Sequence, residues 1–492
     1  MSTTTSLNVI GVQGRQITVP TGLFIHNEFR PSTTAQTLLV ENPTTGESLG
    51  TISAAGPDDI DRAVQSAKAG FATWKSVSGP AKARLLLKLA DLIEQDAQIL
   101  ASLEAVDAGT LYTDSIGLNI PQAVGCLRYY AGWADKMDGK SLEMDGGIAV
   151  HPPRTHRGVC CHRSLECPSL APALAAGNAL IIKSSELSPL YAQRLAELVK
   201  QAGIPAGVVN IVTGEGATAG QTLSEHMEVR KLAFTGSSVA GRKIMQAASR
   251  TNLKKVSLEL GGKGPSIVFD DCDLENALFW TRIGITANNG QICAAGSRIY
   301  VQERIYDRFI EAYKQAAANA PTVAGNPLET STTKGPVVSC TQHQKILDYI
   351  RQGKQSGARL LFGGEPIGSK GYFVQNTAFA DVPDDATIMR EEIFGPVASI
   401  AKFSTEEEVV AKANDSLHGL SAAVFTNDIS RAHRVTKSLE SGQVTVNAWA
   451  MLSPNVPFGG VKESGFGRDM GEEALEGWTT VKAVKYHILP RL

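Results

Sequence analysis

The sequence predicts an α/β protein with parallel sheets and two or three domains. Its 492 residues exceed what a single core usually organises. Hydrophobic residues make up 43% and charged residues 20%, a composition typical of globular proteins. Short apolar runs that end in Gly/Ser turns alternate with helical segments, which is the pattern of βαβ units.

The first part of the chain predicts helices at 57–75 and 80–106. Apolar side chains recur there at helical spacing, for example Leu85, Leu89 and Leu92. The segment MDGKSLEMDGGIAVHPPR that follows is punctuated by Gly and Pro. It therefore predicts a projecting hairpin rather than part of a core.

Two stretches of alternating elements follow, separated near 259–265 by the Gly-rich ELGGKGP. In the first, the apolar runs of NALIIKSSE, GVVNIVTGEG and RKLAFTGSS predict strands, and helices are expected at 189–202, 217–225 and 239–249. The second predicts strands at 266–270 and 298–302 and in SAAVF and GQVTVN, with helices at 307–320 and 344–357.

Charge and cysteine content exclude several classes of function. Lys and Arg (47) nearly balance Asp and Glu (49), without a basic run, so neither nucleic acid nor an anionic membrane is expected as a partner. No stretch approaches the roughly 20 apolar residues of a membrane span, and we expect a soluble, cytoplasmic protein. The seven cysteines include no C-x-x-C pair, so we expect no structural metal and instead a free, reactive thiol.

Two residues are candidates for catalysis. Cys293 lies in ANNGQICAAGSR, where small neighbours leave the thiol accessible, although such a cysteine is often only a packed core thiol. Glu259 precedes a Gly-Gly turn at the proposed domain junction, and a carboxylate withdrawn from water can act as a general base. The alternative for Glu259 is a surface or salt-bridged side chain.

The segment LAFTGSSVAGRKI is a candidate for cofactor binding. A strand that ends in a Gly/Ser turn and opens a helix directs N–H groups toward a pyrophosphate, with Gly236 and Ser237 at the turn. Tight packing between strand and helix explains the same spacing equally well.

Taken as a series, these motifs resemble the aldehyde dehydrogenase superfamily over nearly the whole chain. The motifs that carry the resemblance are FIHNEF, ENPTTGE, YYAGWADKMDGK, PALAAGN, IIKSSE, FTGS, LELGGK, GQIC, EEIFGPV and PFGGVKESGFGRD. The resemblance implies a Rossmann-like NAD-binding domain (1–136 and 156–258) and an α/β catalytic domain (259–460). It also implies a small β oligomerisation element (137–155 and 461–492) in a homodimer or homotetramer.

The resemblance implies covalent catalysis of aldehyde oxidation. The Cys293 thiolate adds to the aldehyde to form a thiohemiacetal, which transfers hydride to the nicotinamide and leaves a thioester. Glu259 is then the base for the water that releases the carboxylic acid. Asn288 and the Gly290–Gln291 turn shape the surroundings of the thiol.

The resemblance also assigns residues to the cofactor. Lys183 and Glu186 match the pair that holds the adenosine ribose. Since a carboxylate accepts from the 2′-OH and repels a 2′-phosphate, Glu186 favours NAD, with NADP as the alternative. Gly236 and Ser237 match the pyrophosphate turn. Glu392 and Phe394 match the residues that contact the nicotinamide ribose and ring.

One segment departs from the family pattern. Where family members have Pro-Trp-Asn-Phe-Pro, this chain has the shorter HRSLECPSLA, which contains no Asn. If Pro168 takes the place of the second proline of that motif, Glu166 falls where the oxyanion-binding Asn is expected. Losing one oxyanion donor costs about two to three powers of ten in turnover, although the Cys293 N–H remains available. We also expect the shortening to disturb the preceding strand at 158–161.

Three hypotheses about function follow. The first is NAD-dependent oxidation of an aldehyde to a carboxylic acid, with a specialised biosynthetic pathway as its setting. The second is a repurposed enzyme that isomerises a conjugated aldehyde through reversible addition of Cys293. The third is a non-catalytic relative, which is the weakest because a structural protein has no need of both Cys293 and Glu259.

Overall fold

Short strands separated by helices run through the whole chain. The structure, a computed structural model, describes residues 6–144, 147–151, 153–155, 158–161, 167–320 and 322–487. The strands are β1 (Ser6–Ile10), β2 (Gln16–Pro20), β3 (Leu23–Ile25), β4 (Glu28–Arg30), β5 (Thr37–Asn42), β6 (Glu47–Ser53), β7 (Lys140–Met144), β8 (Gly147–His151), β9 (Pro153–Thr155), β10 (Gly158–Cys161), β11 (Leu180–Lys183), β12 (Val209–Val212), β13 (Lys231–Thr235), β14 (Lys255–Glu259), β15 (Pro265–Val268), β16 (Arg298–Gln302), β17 (Arg359–Phe362), β18 (Thr377–Ala380), β19 (Val397–Phe403), β20 (His418–Gly419), β21 (Ser421–Phe425), β22 (Gln443–Val446), β23 (Val461–Lys462), β24 (Gly465–Phe466), β25 (Thr479–Val481) and β26 (Val484–His487).

The helices pack on both large sheets and follow the predicted periodicity closely. They are α1 (Pro57–Trp74), α2 (Gly79–Gln95), α3 (Ala97–Asp107), α4 (Tyr112–Asp114), α5 (Ile120–Ala131), α6 (Cys167–Ala175), α7 (Leu190–Ala202), α8 (Gln221–Glu225), α9 (Ser238–Arg250), α10 (Leu274–Thr286), α11 (Glu303–Asn319), α12 (Cys340–Gln355), α13 (Thr387–Arg390), α14 (Glu406–Asn414), α15 (Ile429–Ser438) and α16 (Glu473–Trp478).

The helix predicted at 80–106 is in fact two helices, α2 and α3. The chain turns at Asp96, whose ψ of 9° is not helical. The Asp96 carboxylate accepts two hydrogen bonds from the Arg194 guanidinium of α7, at 2.6 and 2.9 Å. This bidentate pair fixes the break, and it links residues too distant in sequence for periodicity to reveal.

The first large sheet has eight strands in the order β24-β14-β13-β10-β11-β12-β3-β4. Its five central strands, β14 to β12, are parallel, whereas β24 and β3 join antiparallel. The expectation that the strand at 158–161 is disturbed is wrong. β10 pairs over its whole length with both β11 and β13, because the main-chain ladder on either side does not depend on the shortened segment beyond it.

The second large sheet has seven strands in the order β17-β18-β19-β16-β15-β21-β22. All neighbours are parallel except β17, which pairs antiparallel with β18. Residues 260–264 connect β14 of the first sheet to β15 of the second. The Gly-rich boundary predicted from the sequence is therefore the link between the two sheets, and the predicted α/β fold is confirmed.

A smaller sheet is built from the predicted hairpin and the end of the chain. β7 and β8 pair antiparallel, and β26 adds to the other side of β8. Within the part of the chain that the structure describes, no helix is both long and apolar enough to cross a membrane.

Candidate active site

Cys293 lies on a strained loop between α10 and β16, here called the cysteine loop (287–296). Three successive residues adopt positive φ: Asn288 (44°), Asn289 (55°) and Gly290 (66°). A Cβ on Gly290 would lie 2.2 Å from the carbonyl oxygen of Gly395, so only glycine fits there. The loop is thus held against the EEIFGPV segment.

Cys293 is partly buried, and the pKa of its thiol departs strongly from the usual value. Burial, and then the charges of Glu259 and Glu392, raise its pKa to about 12, while the N–H groups of Ala294 and Cys293 act in the opposite direction. The thiol is therefore protonated at neutral pH, and it needs a base before it can attack a carbonyl. Glu392 and Cys293 meet at the Gly261–Gly262 turn that follows Glu259. A Cβ on Gly261 would lie 2.4 Å from Glu392 Oε2, and one on Gly262 would lie 2.2 Å from the Cys293 carbonyl oxygen.

Glu259 is the last residue of β14 and points into the interior. Only 7% of it is exposed, and neither carboxylate oxygen has a hydrogen-bond partner among the described residues. Burial, reinforced by the charge of Asp469 and opposed by Arg468, raises the pKa of Glu259 well above its usual value. A Cβ on Gly459 would lie 2.7 Å from Glu259 Oε1, so the PFGG glycine leaves the space that the carboxylate occupies.

Glu392 and Phe394 flank the same region from the second sheet. Glu392 Oε1 accepts the Gly262 N–H at 2.9 Å, which joins EEIFGPV to the ELGGK turn. Phe394 adopts a left-handed φ of 57°. Gln342 Nε2 donates to the carbonyl oxygens of Ile393 (3.0 Å) and Phe394 (2.8 Å), and sequence reasoning missed this residue because no motif marks it.

Lys183 and Glu186 form an ion pair at the carboxyl end of β11. Lys183 Nζ lies 3.1 Å from Glu186 Oε2 and donates to the Ser184 carbonyl at 2.9 Å. Lys183 is buried, whereas 44% of the Glu186 side chain is exposed. The pair therefore offers both N–H donors and a carboxylate acceptor at the edge of the sheet.

Gly236 and Ser237 form the turn between β13 and α9. Ser237 caps the helix, since its Oγ accepts the Ala240 N–H at 3.3 Å. The Gly236 N–H donates to the Glu259 carbonyl at 3.0 Å, so it extends the hydrogen bonding between β13 and β14. A Cβ on Gly236 would lie 2.5 Å from the tip of the Phe234 ring, so a larger residue at this turn would require the ring to move.

These two groups fit a dinucleotide. β11 and β13 flank β10 in the parallel sheet, so Lys183–Glu186 and Gly236–Ser237 lie at the same carboxyl edge. Parallel α/β sheets bind nucleotides at this edge. An ammonium and a carboxylate beside ribose hydroxyls, with the N-terminus of a 13-residue helix nearby, match the chemistry of NAD.

Trp449 is part of the support for the cysteine loop. Its indole N–H donates to the Ala294 carbonyl at 2.9 Å, and its ring packs against Gly284. Met451 and Leu452 are exposed, by 69% and 44%. The Glu166 prediction lies outside the described residues, and no cluster able to hold a metal occurs among those that are described.

Comparison with known proteins identifies the family. The family model described as "Aldehyde dehydrogenase family" matches residues 29–484. The chain belongs to the aldehyde dehydrogenase family. It is 44% identical to an aldehyde dehydrogenase of Emericella nidulans over 477 residues (95% of each chain), and 45% identical to the human mitochondrial aldehyde dehydrogenase over 472 residues (94% of this chain and 91% of that one).

Solved structures extend the family relation to the fold and the cofactor. The NAD⁺ complex of an aldehyde dehydrogenase from Bacillus cereus superimposes with a TM-score of 0.92 at 39% identity, covering 95% of this chain and 96% of that one. This family member is therefore an NAD(P)-dependent enzyme that oxidises an aldehyde to a carboxylic acid, with NAD as its cofactor. These predictions of activity and cofactor are confirmed.

Proposed function

We propose that Cys293 is the nucleophile of this aldehyde dehydrogenase and that Glu259 is its general base. The observation that carries the proposal is the placement of the two residues around one turn. The Glu259 carboxylate is buried without a hydrogen-bond partner among the described residues. Three residues further on, Gly262 packs against the main chain of Cys293, since a Cβ there would lie 2.2 Å from the Cys293 carbonyl oxygen. A base that lacks other partners is ready to accept a proton from the thiol or from water.

The chemistry follows from these two side chains. Glu259 accepts the thiol proton, and the Cys293 sulfur bonds to the aldehyde carbon to form a thiohemiacetal whose oxygen becomes negative. The Cys293 main-chain N–H donates to this oxygen. NAD, when bound, accepts the hydride that leaves the carbon. Glu259 releases this first proton to solvent and then takes a proton from the water that cleaves the thioester. The carboxylic acid leaves, and Glu259 returns the second proton to the Cys293 sulfur, which restores the thiol.

The cofactor is held by groups from both sheets. Lys183 and Glu186 bind the adenosine ribose, and their mutual ion pair orients them for this task. The turn at Gly236 and Ser237 faces the pyrophosphate. Two residues of EEIFGPV, Glu392 and Phe394, hold the nicotinamide ribose and ring. Residues 1–136 and 156–258 thus form the NAD-binding domain, and residues 259–460 form the catalytic domain.

The absence of Asn from the sequence HRSLECPSLA bears on the rate of the reaction. With one oxyanion donor fewer, turnover is expected to be about two to three powers of ten slower than with both donors. A slow enzyme with a reactive cysteine suits a specialised biosynthetic pathway, in which flux is low. Isomerisation of a conjugated aldehyde is the second candidate, and the same missing donor favours it.

The test is formation of NADH from a panel of aliphatic and aromatic aldehydes. We expect wild-type protein to form one NADH for each acid, and Cys293→Ala to form none. Cys340→Ala, which removes an exposed cysteine, is the matched control and retains activity. NADH formation by Cys293→Ala would refute the assignment of the nucleophile. An isomerised aldehyde without NADH would favour the second candidate.

Two further properties remain predictions. A homodimer or homotetramer is proposed, in which residues 137–155 and 461–492 form the contact. A cytoplasmic location is also proposed, although the human relative is named as mitochondrial. Fluorescence microscopy of the tagged protein beside a mitochondrial marker tests the location, and coincidence with the marker would contradict it.

A further inference from the structure

The conformation of the cysteine loop requires support from outside the loop. Asn288 and Asn289 both adopt left-handed φ, which residues other than glycine rarely do in succession. Such strained conformations persist only where surrounding contacts over-determine them. Other parts of the chain must therefore hold Asn288 and Asn289 in this conformation.

The side chain of Asn289 connects the strained part of the loop to its surroundings. Only 6% of Asn289 is exposed. Its Nδ2 donates to the carbonyl oxygens of Gly335 (3.0 Å) and Pro336 (3.1 Å), and its Oδ1 accepts from Lys334 Nζ at 2.9 Å. All three partners belong to the short segment 334–336, which thus hydrogen-bonds to both the NH₂ group and the oxygen of the Asn289 side chain.

Lys334 connects this amide to the second sheet. Its Nζ also donates to Asn376 Oδ1 at 2.7 Å, directly before β18. Lys334 is 4% exposed and has no charged partner among the residues that the structure describes. Burial lowers its pKa to about 7, but a neutral amine retains two N–H groups, enough for the two amide oxygens.

We propose that Lys334 is a positioning residue that holds Asn289, and through it the cysteine loop, in the conformation that presents Cys293 to the substrate. The proposal rests on the proposed role of Cys293. Without the amine, Asn289 Oδ1 becomes a buried acceptor without a donor. Loop conformations in which this oxygen reaches another donor then become more favourable. Because Cys293 lies only four residues further on, this movement displaces the sulfur.

The test compares three variants of the full-length enzyme. Lys334→Met keeps most of the apolar stem but removes the donor, and Lys334→Gln restores an NH₂ group. Lys254→Met is the matched control, since Lys254 is likewise buried and donates to two oxygens, those of Ser224 and Thr251, but lies away from the cysteine loop. The readouts are kcat, the KM for NAD, the rate of Cys293 alkylation by iodoacetamide, and the melting temperature.

We expect Lys334→Met to lower both kcat and the alkylation rate by about ten- to a hundredfold, because misplacement of a reacting atom has effects of this size. The KM for NAD should stay within about twofold, and Lys334→Gln should recover part of both rates. Lys254→Met should reduce only the melting temperature. If Lys334→Met does not fold, the same comparison is made between Lys334→Gln and wild type, with a smaller loss expected.

Two outcomes would overturn the proposal. One is a Lys334 variant with wild-type kcat and alkylation rate. The other is a loss of rate that Lys254→Met reproduces at the same melting temperature, which would indicate a structural effect alone. Failure of the proposed role of Cys293 is distinguishable, since it would be seen in the wild-type enzyme as turnover that survives complete alkylation of Cys293.

Discussion

At Glu259, catalysis and stability make opposite demands. A base must lie beside the thiol and out of water, yet a buried carboxylate without hydrogen-bond donors is costly to ionise. Burial raises the pKa of Glu259 in the folded protein above its value in the unfolded chain. The folded state therefore binds this proton more tightly than the unfolded chain does. The free energy of unfolding falls as the pH rises from the unfolded-state pKa of Glu259 to its folded-state pKa.

The substitution Glu259→Gln should consequently stabilise the protein at neutral and alkaline pH. We expect a gain of about 1–3 kcal/mol near pH 8, which shrinks toward zero near pH 4, together with loss of aldehyde oxidation. Thermal unfolding across this pH range measures the effect. Glu407→Gln, at an exposed position, is the control and should show no such pH dependence. A Glu259→Gln variant less stable than wild type at pH 8 would contradict the account.

Glu186 is expected to decide between the two nicotinamide cofactors. Its carboxylate is 3.1 Å from Lys183 Nζ and 44% exposed, so it can face a ribose 2′-hydroxyl. Replacement by Gln removes the charge that would repel a 2′-phosphate. We expect Glu186→Gln to raise the ratio of kcat/KM for NADP over NAD about tenfold, which corresponds to about 1.4 kcal/mol. An unchanged ratio would refute the assignment.

Among the elements, the cysteine loop depends most on contacts that are remote in sequence. Gly290 meets Gly395, Asn289 meets residues 334–336, and the Trp449 indole reaches Ala294. A short connection without regular hydrogen bonds is thereby fixed on three sides. The loop can hold a strained backbone and still place its thiol reproducibly.

The substitution Gly290→Ala tests how closely the loop and EEIFGPV must approach. A methyl group there would lie 2.2 Å from the Gly395 oxygen, at a φ of 66° that disfavours Ala. We expect destabilisation of about 1–3 kcal/mol and a loss of roughly a hundredfold in kcat. Gly477→Ala, where no atom lies within 4 Å, is the control and should leave both quantities nearly unchanged. Normal turnover by Gly290→Ala would show that the loop adapts.

For the molecule as a whole, the site forms where the two large sheets meet. Glu259 ends β14 of the first sheet, Cys293 precedes β16 of the second, and the Gly262–Glu392 hydrogen bond joins the two. Residues 260–264 supply the covalent link between the sheets. The groups proposed for catalysis thus come from both sheets, whereas the groups proposed for the adenosine ribose and pyrophosphate come from the first.

The small sheet at the end of the chain is the surface expected to mediate association. β26 is an edge strand, and nearby Val481 and Tyr486 are 76% and 57% exposed. Exposed strand edges with apolar side chains tend to pair with another chain. We expect Val481→Asp combined with Tyr486→Asp to give smaller particles in analytical ultracentrifugation. Ile429→Asp, at another exposed apolar position, should leave the oligomer intact. An unchanged oligomer in the double variant would exclude this surface.

The sequence by itself determined the local elements, the boundary between the sheets and the family, because apolar periodicity, Gly-rich turns and motif order are properties of neighbouring residues. Strand β16 and helix α7 begin and end within a residue of their predicted bounds. Only the tertiary structure revealed the break at Asp96, the contact between Gln342 and Phe394, and the bridge from Lys334 to Asn289. Each of these depends on which distant side chain faces a polar group once water is excluded, and no local pattern encodes that choice.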